Sequence, residues 1–190
     1  NKNNGSSTGS VSLRVTDSVY VSDVSLLTNN NGGLYAVVTY FAAGVNYGYF
    51  SEILEWNNSG GGSFVSLSGP FTLSTQSFGT TLHIDATDRE YTIVWDHDGS
   101  IYAISGNISG LYNGGVPISF NYFNDAHSPD VAMIEDSITI AHITFVEIGF
   151  LVVQDHDISD IASGSSTSSI LMTASPLHLS GTDFEYPRIA

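Results

Sequence analysis

The sequence predicts an all-β protein made of three tandem antiparallel repeats, each roughly 59 residues long with four to five strands and essentially no helix. Two observations support this prediction. Apolar and polar residues alternate along much of the chain, which is the two-residue period of a strand with one buried face. Prolines and short motifs recur at a nearly constant spacing, and such repetition is typical of solenoids, propellers and arrays. A β-sandwich, propeller-like blades and a threefold β architecture all fit this pattern.

The repeat is clearest in the prolines, because all five lie on it. Pro70 and Pro129 are one repeat length apart, and Pro117 and Pro176 are separated by the same step. Pro187 follows Pro129 by one position less than this step. A motif keeps the same spacing, because Asp96-His97-Asp98 recurs as Asp155-His156-Asp157.

These matches divide the chain into a tail and three repeats. Residues 1–10 have no apolar side chain, which is typical of a flexible tail. The repeats are assigned to residues 11–69, 70–128 and 129–186. We interpret residues 187–190 as the start of an incomplete further repeat or as a strand donated to a neighbour.

The first predicted strand contains Val11, Leu13 and Val15, which alternate with polar residues. Further along each repeat, apolar residues follow one another at spacings of two, three and two: Val19, Val21, Val24 and Leu26, and again Ile138, Ile140, Ile143 and Phe145. Because strand side chains alternate between faces, this spacing predicts a buried face that switches halfway, at a β-bulge or a sharp bend.

Later strands are predicted from apolar runs. Three runs are apolar on both faces and therefore belong in the interior of a layered β structure: residues 33–38, 91–95 and 149–153. A final pair of strands is predicted in each repeat: 49–56 with 64–67, 101–104 with 117–120, and 169–172 with 176–179.

Composition excludes several classes of function. The formal net charge is −15 at pH 7, from 19 acidic and only four basic side chains. Nucleic-acid binding needs clustered Lys and Arg, so nucleic acid is excluded as a partner. No apolar run approaches the roughly 20 residues of a membrane span, so no membrane insertion is expected. No sequence motif of a hydrolase, metalloprotease or phosphate-binding loop is present, and we do not expect an enzyme.

A secreted protein, located outside the cell or on its surface, is expected from other features. The chain starts at Asn1 rather than Met, as a processed protein does, and it is rich in Ser, Thr, Asn, Gly and Tyr. Three Asn-x-Ser sequons predict glycosylation at Asn4, Asn57 and Asn107.

The two Asp-His-Asp motifs are the strongest candidates for a metal site. In an extended strand, Asp96 and Asp98 share one face with carboxylates roughly 6 to 7 Å apart, and Asp155 and Asp157 do the same. Paired carboxylates followed by a turn suit Ca²⁺, which binds six to eight oxygens. The alternative is that these acids solvate a strand end, because the first repeat has Tyr40-Phe41-Ala42 at the same place.

The repeat junctions resemble those of a known kind of protein. Residues 176–181 and 186–190, and likewise Ser128-Pro129-Asp130-Val131-Ala132, are similar to the junctions of blade-like β repeats in secreted archaeal and bacterial cell-surface proteins. The resemblance implies a style of fold and a surface location, and it implies no activity.

The predicted function is that of an extracellular structural protein that assembles with itself. Its first strand, with Val11, Leu13 and Val15, would pair with the unfinished edge of a neighbouring subunit in a filament, sheath or coat. The alternative is a carbohydrate-binding adhesin or lectin, in which Tyr and Trp side chains near strand ends stack on glycans.

Overall fold

A computed structural model describes residues 19–29, 31–43, 47–58, 62–74, 81–120, 125–135, 138–147, 150–164 and 169–173. This part of the chain is mostly β, with thirteen strands and one short α-helix. The predicted strand at Val11, Leu13 and Val15, the tail and residues 187–190 lie outside the described residues.

The strands form three antiparallel sheets in chain order. Sheet A contains β1 (Val19–Thr28), β2 (Leu34–Ala42), β3 (Gly48–Asn57) and β4 (Ser63–Ser74). Sheet B contains β5 (Leu82–Ala86), β6 (Glu90–His97), β7 (Ser100–Asn107), β8 (Gly110–Leu111) and β9 (Ile118–Phe120). Sheet C contains β10 (Ala126–Glu135), β11 (Thr139–Glu147), β12 (Phe150–Asp157) and β13 (Ser169–Thr173).

Sheet B is the middle layer of the protein. One of its faces packs on sheet A in a core that includes Ile93, Trp95, Val37 and Ile53. Its other face packs on sheet C, where Val94 and Ile101 meet residues such as Ile143 and Phe145. Because β6 is covered on both sides, residues 91–95 are all buried, which confirms the prediction of an interior strand there.

The first strands of the three sheets lie against one another. β1 contacts β5, and β5 contacts β10. We call these three strands the edge column, because each is the first strand at one end of its sheet's strand order. Backbone hydrogen bonds also join successive sheets near the column, from Thr28 N to Asp88 O at 3.1 Å and from Ala126 N to Gly99 O at 3.0 Å.

The apolar residues of β1 are arranged differently from the expectation. The predicted irregularity is present, because the register shifts between Val21 and Asp23. The shift keeps Val21, Val24 and Leu26 on one face of β1. Their cross-strand partners on β2 belong to a cluster on the side of sheet A away from sheet B. The side chains of Val21, Val24 and Leu26 are 42%, 51% and 58% exposed, so the expectation of a buried face is wrong for this strand.

The matching residues of β11 have no bulge between them. Its pairing with β12 runs without a shift from Ile140 to Glu147. Ile143 and Phe145 lie in the core with sheet B, whereas Ile140 lies on the opposite face. The same spacing of apolar residues therefore accompanies a register shift in β1, whereas in β11 it places apolar residues on both faces of a regular strand.

The helix α1 (Ile158–Ser163) was not expected from the sequence. Asp157 caps its N-terminus by accepting a hydrogen bond from Ser159 N at 2.8 Å, and Gly164 ends it in the left-handed region with φ of 72°. Ile158 and Ile161 are buried. A helix of six residues is too short to show a sustained 3.6-residue period, which explains why the pattern did not predict it.

The sheets are out of phase with the sequence repeat. The expected boundary between residues 69 and 70 falls inside β4, and that between residues 128 and 129 falls inside β10.

In the part of the chain that the structure describes, we find no helix with the length and apolar character of a membrane span.

Candidate functional site

Carboxylates link the strands of the edge column. Asp23 on β1 accepts a hydrogen bond at Oδ2 from Ile84 N on β5 at 3.1 Å. Asp85 on β5 accepts one at Oδ2 from Met133 N on β10 at 2.7 Å. An edge strand otherwise leaves such amides unpaired and open to uncontrolled association. Sheet A therefore caps an edge amide of sheet B, and sheet B caps one of sheet C, which holds the three layers in register.

A histidine lies between two acids of this column. His83 Nδ1 is 3.5 Å from Asp23 Oδ2 and 4.0 Å from Asp130 Oδ1, so β5 contacts both β1 and β10 through one side chain. Burial alone would raise the pKa of Asp23, but hydrogen bonds from His83 and from the backbone amides of Ile84 and Val24 lower it below its ordinary value. The ionised carboxylate is therefore favoured in the folded protein.

We expect Asp23 to make stability depend on pH in the acid range. A carboxyl with a lowered pKa stabilises the fold above its unfolded pKa of about 3.9, and this contribution is lost as the pH falls through the folded value. Asp23→Asn should therefore lower the free energy of unfolding at neutral pH, and the difference from wild type should shrink below about pH 4. Urea unfolding across this range measures it. The exposed Asp88→Asn is the control, since it changes net charge equally. A difference for Asp23→Asn that is independent of pH would contradict this role.

The first predicted calcium pair is divided between two settings. Asp96 accepts hydrogen bonds from Thr81 N at 2.7 Å and from Ser128 N at 3.1 Å. Both of its carboxylate oxygens are therefore engaged by backbone amides. Asp98 lies in the β6–β7 turn with φ of 47°, and its Oδ2 is 3.0 Å from His97 Nε2. The strand ends before Asp98, so the strand geometry expected for this pair is not present.

The two acids of the second pair both lie in β12, but their carboxylates have separate partners. Asp155 Oδ1 is 2.6 Å from His142 Nδ1 on the neighbouring strand, and Asp157 caps α1. Within the described residues, no group of three or more His, Asp or Glu side chains has the arrangement of a metal site. Calcium binding stays a prediction.

The calcium hypothesis is tested by thermal unfolding. If Ca²⁺ binds the folded protein, the melting temperature should rise with free calcium and fall in chelator, as linkage requires. Asp98→Asn, in the exposed turn, should reduce the calcium effect without removing a contact between strands. Equal melting temperatures in excess calcium and in chelator would exclude the site.

Two polar networks of the same composition lie in sheets A and B. In sheet A, Asn29 Oδ1 accepts a hydrogen bond from Gly33 N at 2.7 Å, and Asn29 Nδ2 donates to Tyr35 Oη at 2.9 Å. Tyr35 Oη in turn lies 3.4 Å from Glu55 Oε1, to which it donates. The asparagine thus closes a turn and is held in place by a tyrosine.

The network in sheet B repeats this arrangement. Asn107 Oδ1 accepts from Ser109 N at 2.8 Å, Asn107 Nδ2 donates to Tyr112 Oη at 3.0 Å, and Tyr112 Oη donates to Glu90 Oε1 at 3.0 Å. Burial and the adjacent Glu90 carboxylate raise the pKa of Tyr112 to about 12. The phenol therefore keeps its proton and remains a donor across the physiological range.

A shallow cleft lies between the two networks. Its volume is about 190 Å³, and it is lined by Thr28, Asn29, Arg89, Asn107 and Ile108. Within the described part of the chain, Arg89 is the sole Lys or Arg side chain. The accessible lining of the cleft is largely apolar, because the side-chain amides of Asn29 and Asn107 are hydrogen-bonded within the two networks, and Arg89 supplies its one cation, which suits a carboxylate group on a ligand.

The predicted glycosylation sites differ in accessibility. Asn57 is exposed at the end of β3. Asn107 lies in the cleft with its amide nitrogen bonded to Tyr112, and Asn4 lies outside the described residues. Asn57 is thus the more accessible of the two described sequons.

Glycan stacking was expected from Tyr and Trp side chains near strand ends, and several of these belong to the core. Trp95 and Tyr49 are 2% and 5% exposed and pack between sheets A and B. Trp56 is half-buried and packs edge-on against Phe64, with ring centroids 5.1 Å apart. Core packing therefore accounts for Trp95 and Tyr49.

Both outermost faces of the stack carry exposed apolar side chains. We call the face of sheet A that points away from sheet B the A face; its exposed members on β1 are Val21, Val24 and Leu26. We call the corresponding face of sheet C the C face; there Ile134 lies opposite Ile140 and is 55% exposed. Ile138, which directly precedes β11, is 52% exposed.

Sequence reasoning did not find the acids of the edge column. Asp23 interrupts an apolar strand segment, and Asp85 follows one. A charged residue in such a position is the sequence feature that could have identified them. Both acids accept hydrogen bonds from backbone amides of another sheet, and such amides leave no trace in the sequence. Comparison with known protein families, with curated proteins and with solved structures found no match.

Proposed function

We propose that the protein is an extracellular structural protein, a self-assembling subunit of a cell-surface filament, sheath or coat built from three tandem β repeats. The observation that supports this best is that the edge column ends on exposed apolar residues in both directions, at Leu26 and at Ile134. Contiguous apolar surface on a soluble protein is typical of an interaction site. Strand contacts between subunits would use backbone groups of a sheet edge other than the amides of Ile84 and Met133, which Asp23 and Asp85 cap.

The N-terminal residues are the proposed connecting strand. A leader of ten residues can span up to roughly 33 Å, which is enough to reach a neighbouring subunit. Val11, Leu13 and Val15 would then pair with an open sheet edge of that neighbour.

Deletion of residues 1–16 should leave a β-rich monomer that no longer polymerises. Electron microscopy and light scattering of the intact and truncated proteins measure this, and excess peptide of residues 9–16 should block polymerisation of the intact chain. A peptide of the same composition in scrambled order is the control. Truncated protein that still forms the same polymers would contradict strand exchange.

A glycan-binding adhesin is the second candidate, and the cleft around Arg89 favours it. Glycans with carboxylate groups should bind on a glycan array, and Arg89→Gln should abolish this binding. Asp88→Asn, next to it in sequence, is the control that should retain binding. Absence of binding to every glycan tested would remove this candidate.

A further inference from the structure

Two polar side chains of β12, Gln154 and His156, are buried and each 1% exposed. In the pairing of β11 with β12, His156 lies opposite Ala141. Ala141 belongs to the core between sheets B and C, together with Val94 of β6 and Ile161 of α1. Because directly opposite residues of antiparallel strands share a face, the imidazole of His156 is enclosed by sheet B, sheet C and α1.

The imidazole is held in this layer in its neutral form. His156 Nε2 lies 2.9 Å from Gln154 Oε1, and since an amide oxygen accepts hydrogen bonds, Nε2 carries the proton of the neutral ring. Burial lowers the pKa of His156 below its ordinary value of 6.5, although the negative charges of Asp160 on α1 and of Asp155 on β12 act in the opposite direction. At neutral pH the folded protein therefore contains an uncharged His156.

The other charged groups on the surrounding elements do not offset a second proton on this ring. Asp155 points to the C face, because it is the neighbour of His156 in the strand, and there it lies 2.6 Å from His142 Nδ1. Asp157 caps α1, and Glu147 is at the other end of β11 from the residue that His156 opposes. Neither β7 nor β13 contains an acidic or basic residue.

We propose that the contact of α1 and β12 with sheet B is an acid-sensitive joint, which opens when His156 is protonated. Protonation places a positive charge among apolar side chains such as Ile101 and Ile161, and a buried charge without compensation is unfavourable. The layer between sheets B and C must then separate or admit water at this point. The described core between sheets A and B includes no histidine, so the opening is local. The proposal is independent of whether the protein assembles or binds a glycan.

Linkage gives the direction of the pH dependence. A histidine whose folded pKa is lowered binds fewer protons in the folded than in the unfolded state. Its contribution to stability is therefore complete above the unfolded pKa of about 6.5 and is lost as the pH falls through the folded value. His83, His97 and His142 instead lie 2.6 to 3.5 Å from carboxylates, and protonation of these rings adds an attraction. The effect of His156 must accordingly be measured as a difference between wild type and a variant.

His156→Gln provides this difference, because glutamine stays uncharged and can still donate a hydrogen bond to Gln154. Urea unfolding from about pH 7 to about pH 5 should destabilise wild type relative to the variant by at most roughly tenfold in the unfolding equilibrium constant per pH unit, the linkage of one proton. The matched control is His127→Gln, since His127 lies 3.1 Å from the Ser128 hydroxyl and is outside this layer. The control should keep the pH dependence of wild type, and equal pH dependence of wild type and His156→Gln would refute the joint.

Fluorescence separates a local opening from global unfolding. Both tryptophans, Trp56 and Trp95, belong to sheets A and B, so their emission does not follow the loss of sheet C. At about pH 5, wild type should bind the apolar dye ANS with unchanged tryptophan emission, and His156→Gln should bind less dye. Dye binding and tryptophan emission that change together would overturn the local joint.

An NMR titration of wild type tests the same joint without any variant, and it decides the question if His156→Gln does not fold. The ring proton signal of His156 should shift below pH 6.5, together with amide signals of α1. A His156 that titrates at its ordinary value, or that titrates without any change in α1, would refute the proposal.

Discussion

Ile143→Ala should lower the free energy of unfolding by about 2 to 5 kcal/mol, the range observed for truncation of a large buried aliphatic side chain. Ile143 is 0% exposed and packs between sheets B and C. Truncation of this side chain loses its transfer free energy and also leaves a cavity in a close-packed layer, and both effects lower stability. Urea unfolding followed by circular dichroism measures the change.

The same substitution nearby provides the control. Ile138→Ala changes an isoleucine that is 52% exposed, and surface substitutions are usually within about 0.5 kcal/mol of neutral. Both isoleucines belong to one apolar pattern in the sequence, so only their position in the fold distinguishes them. Equal costs at the two positions would contradict the assignment of β11 to the core of sheets B and C.

Gly106→Ala should destabilise the protein by about 1 to 3 kcal/mol, as overpacking of a filled site does. A Cβ at Gly106 would clash with Gly110 O and would lie 2.5 Å from the Tyr91 hydroxyl. Gly110 belongs to the paired backbone of β8, and Tyr91 is 0% exposed, so neither can move away freely. Thermal and urea unfolding of the variant measure the cost.

Tyr91→Phe serves as the companion to this variant. The buried Tyr91 hydroxyl has no hydrogen-bond partner within the described residues, and burial raises the pKa of Tyr91 above its ordinary value. Removing an unsatisfied hydroxyl should leave stability unchanged or raise it. In the double variant, part of the Gly106→Ala cost should be recovered, because one of the clashing atoms is gone. No recovery would indicate that the clash with Gly110 O dominates.

Local sequence pattern was sufficient to predict most of the strands. The run at residues 33–38 overlaps β2, the run at residues 91–95 lies within β6, and the pair at residues 49–56 and 64–67 lies within β3 and β4. The sequence signal of a strand lies within one short segment, so the periodicity and apolar content of that segment are enough to locate it. The same reasoning missed α1, whose two buried isoleucines depend on tertiary contacts of the helix with β7 of sheet B and with β11 and β12 of sheet C.

Tertiary structure alone decided which faces are buried and which acids hold the layers together. Val24 and Ile143 have matching places in the same apolar pattern, yet one is 51% exposed and the other 0%. Burial depends on whether another sheet covers a face, and that depends on the order in which sheets stack. Asp23 and the amide of Ile84 are likewise far apart in the chain, and they meet only because β1 packs against β5. A backbone amide is present at every residue except proline, so sequence carries no signal for which one a carboxylate will cap.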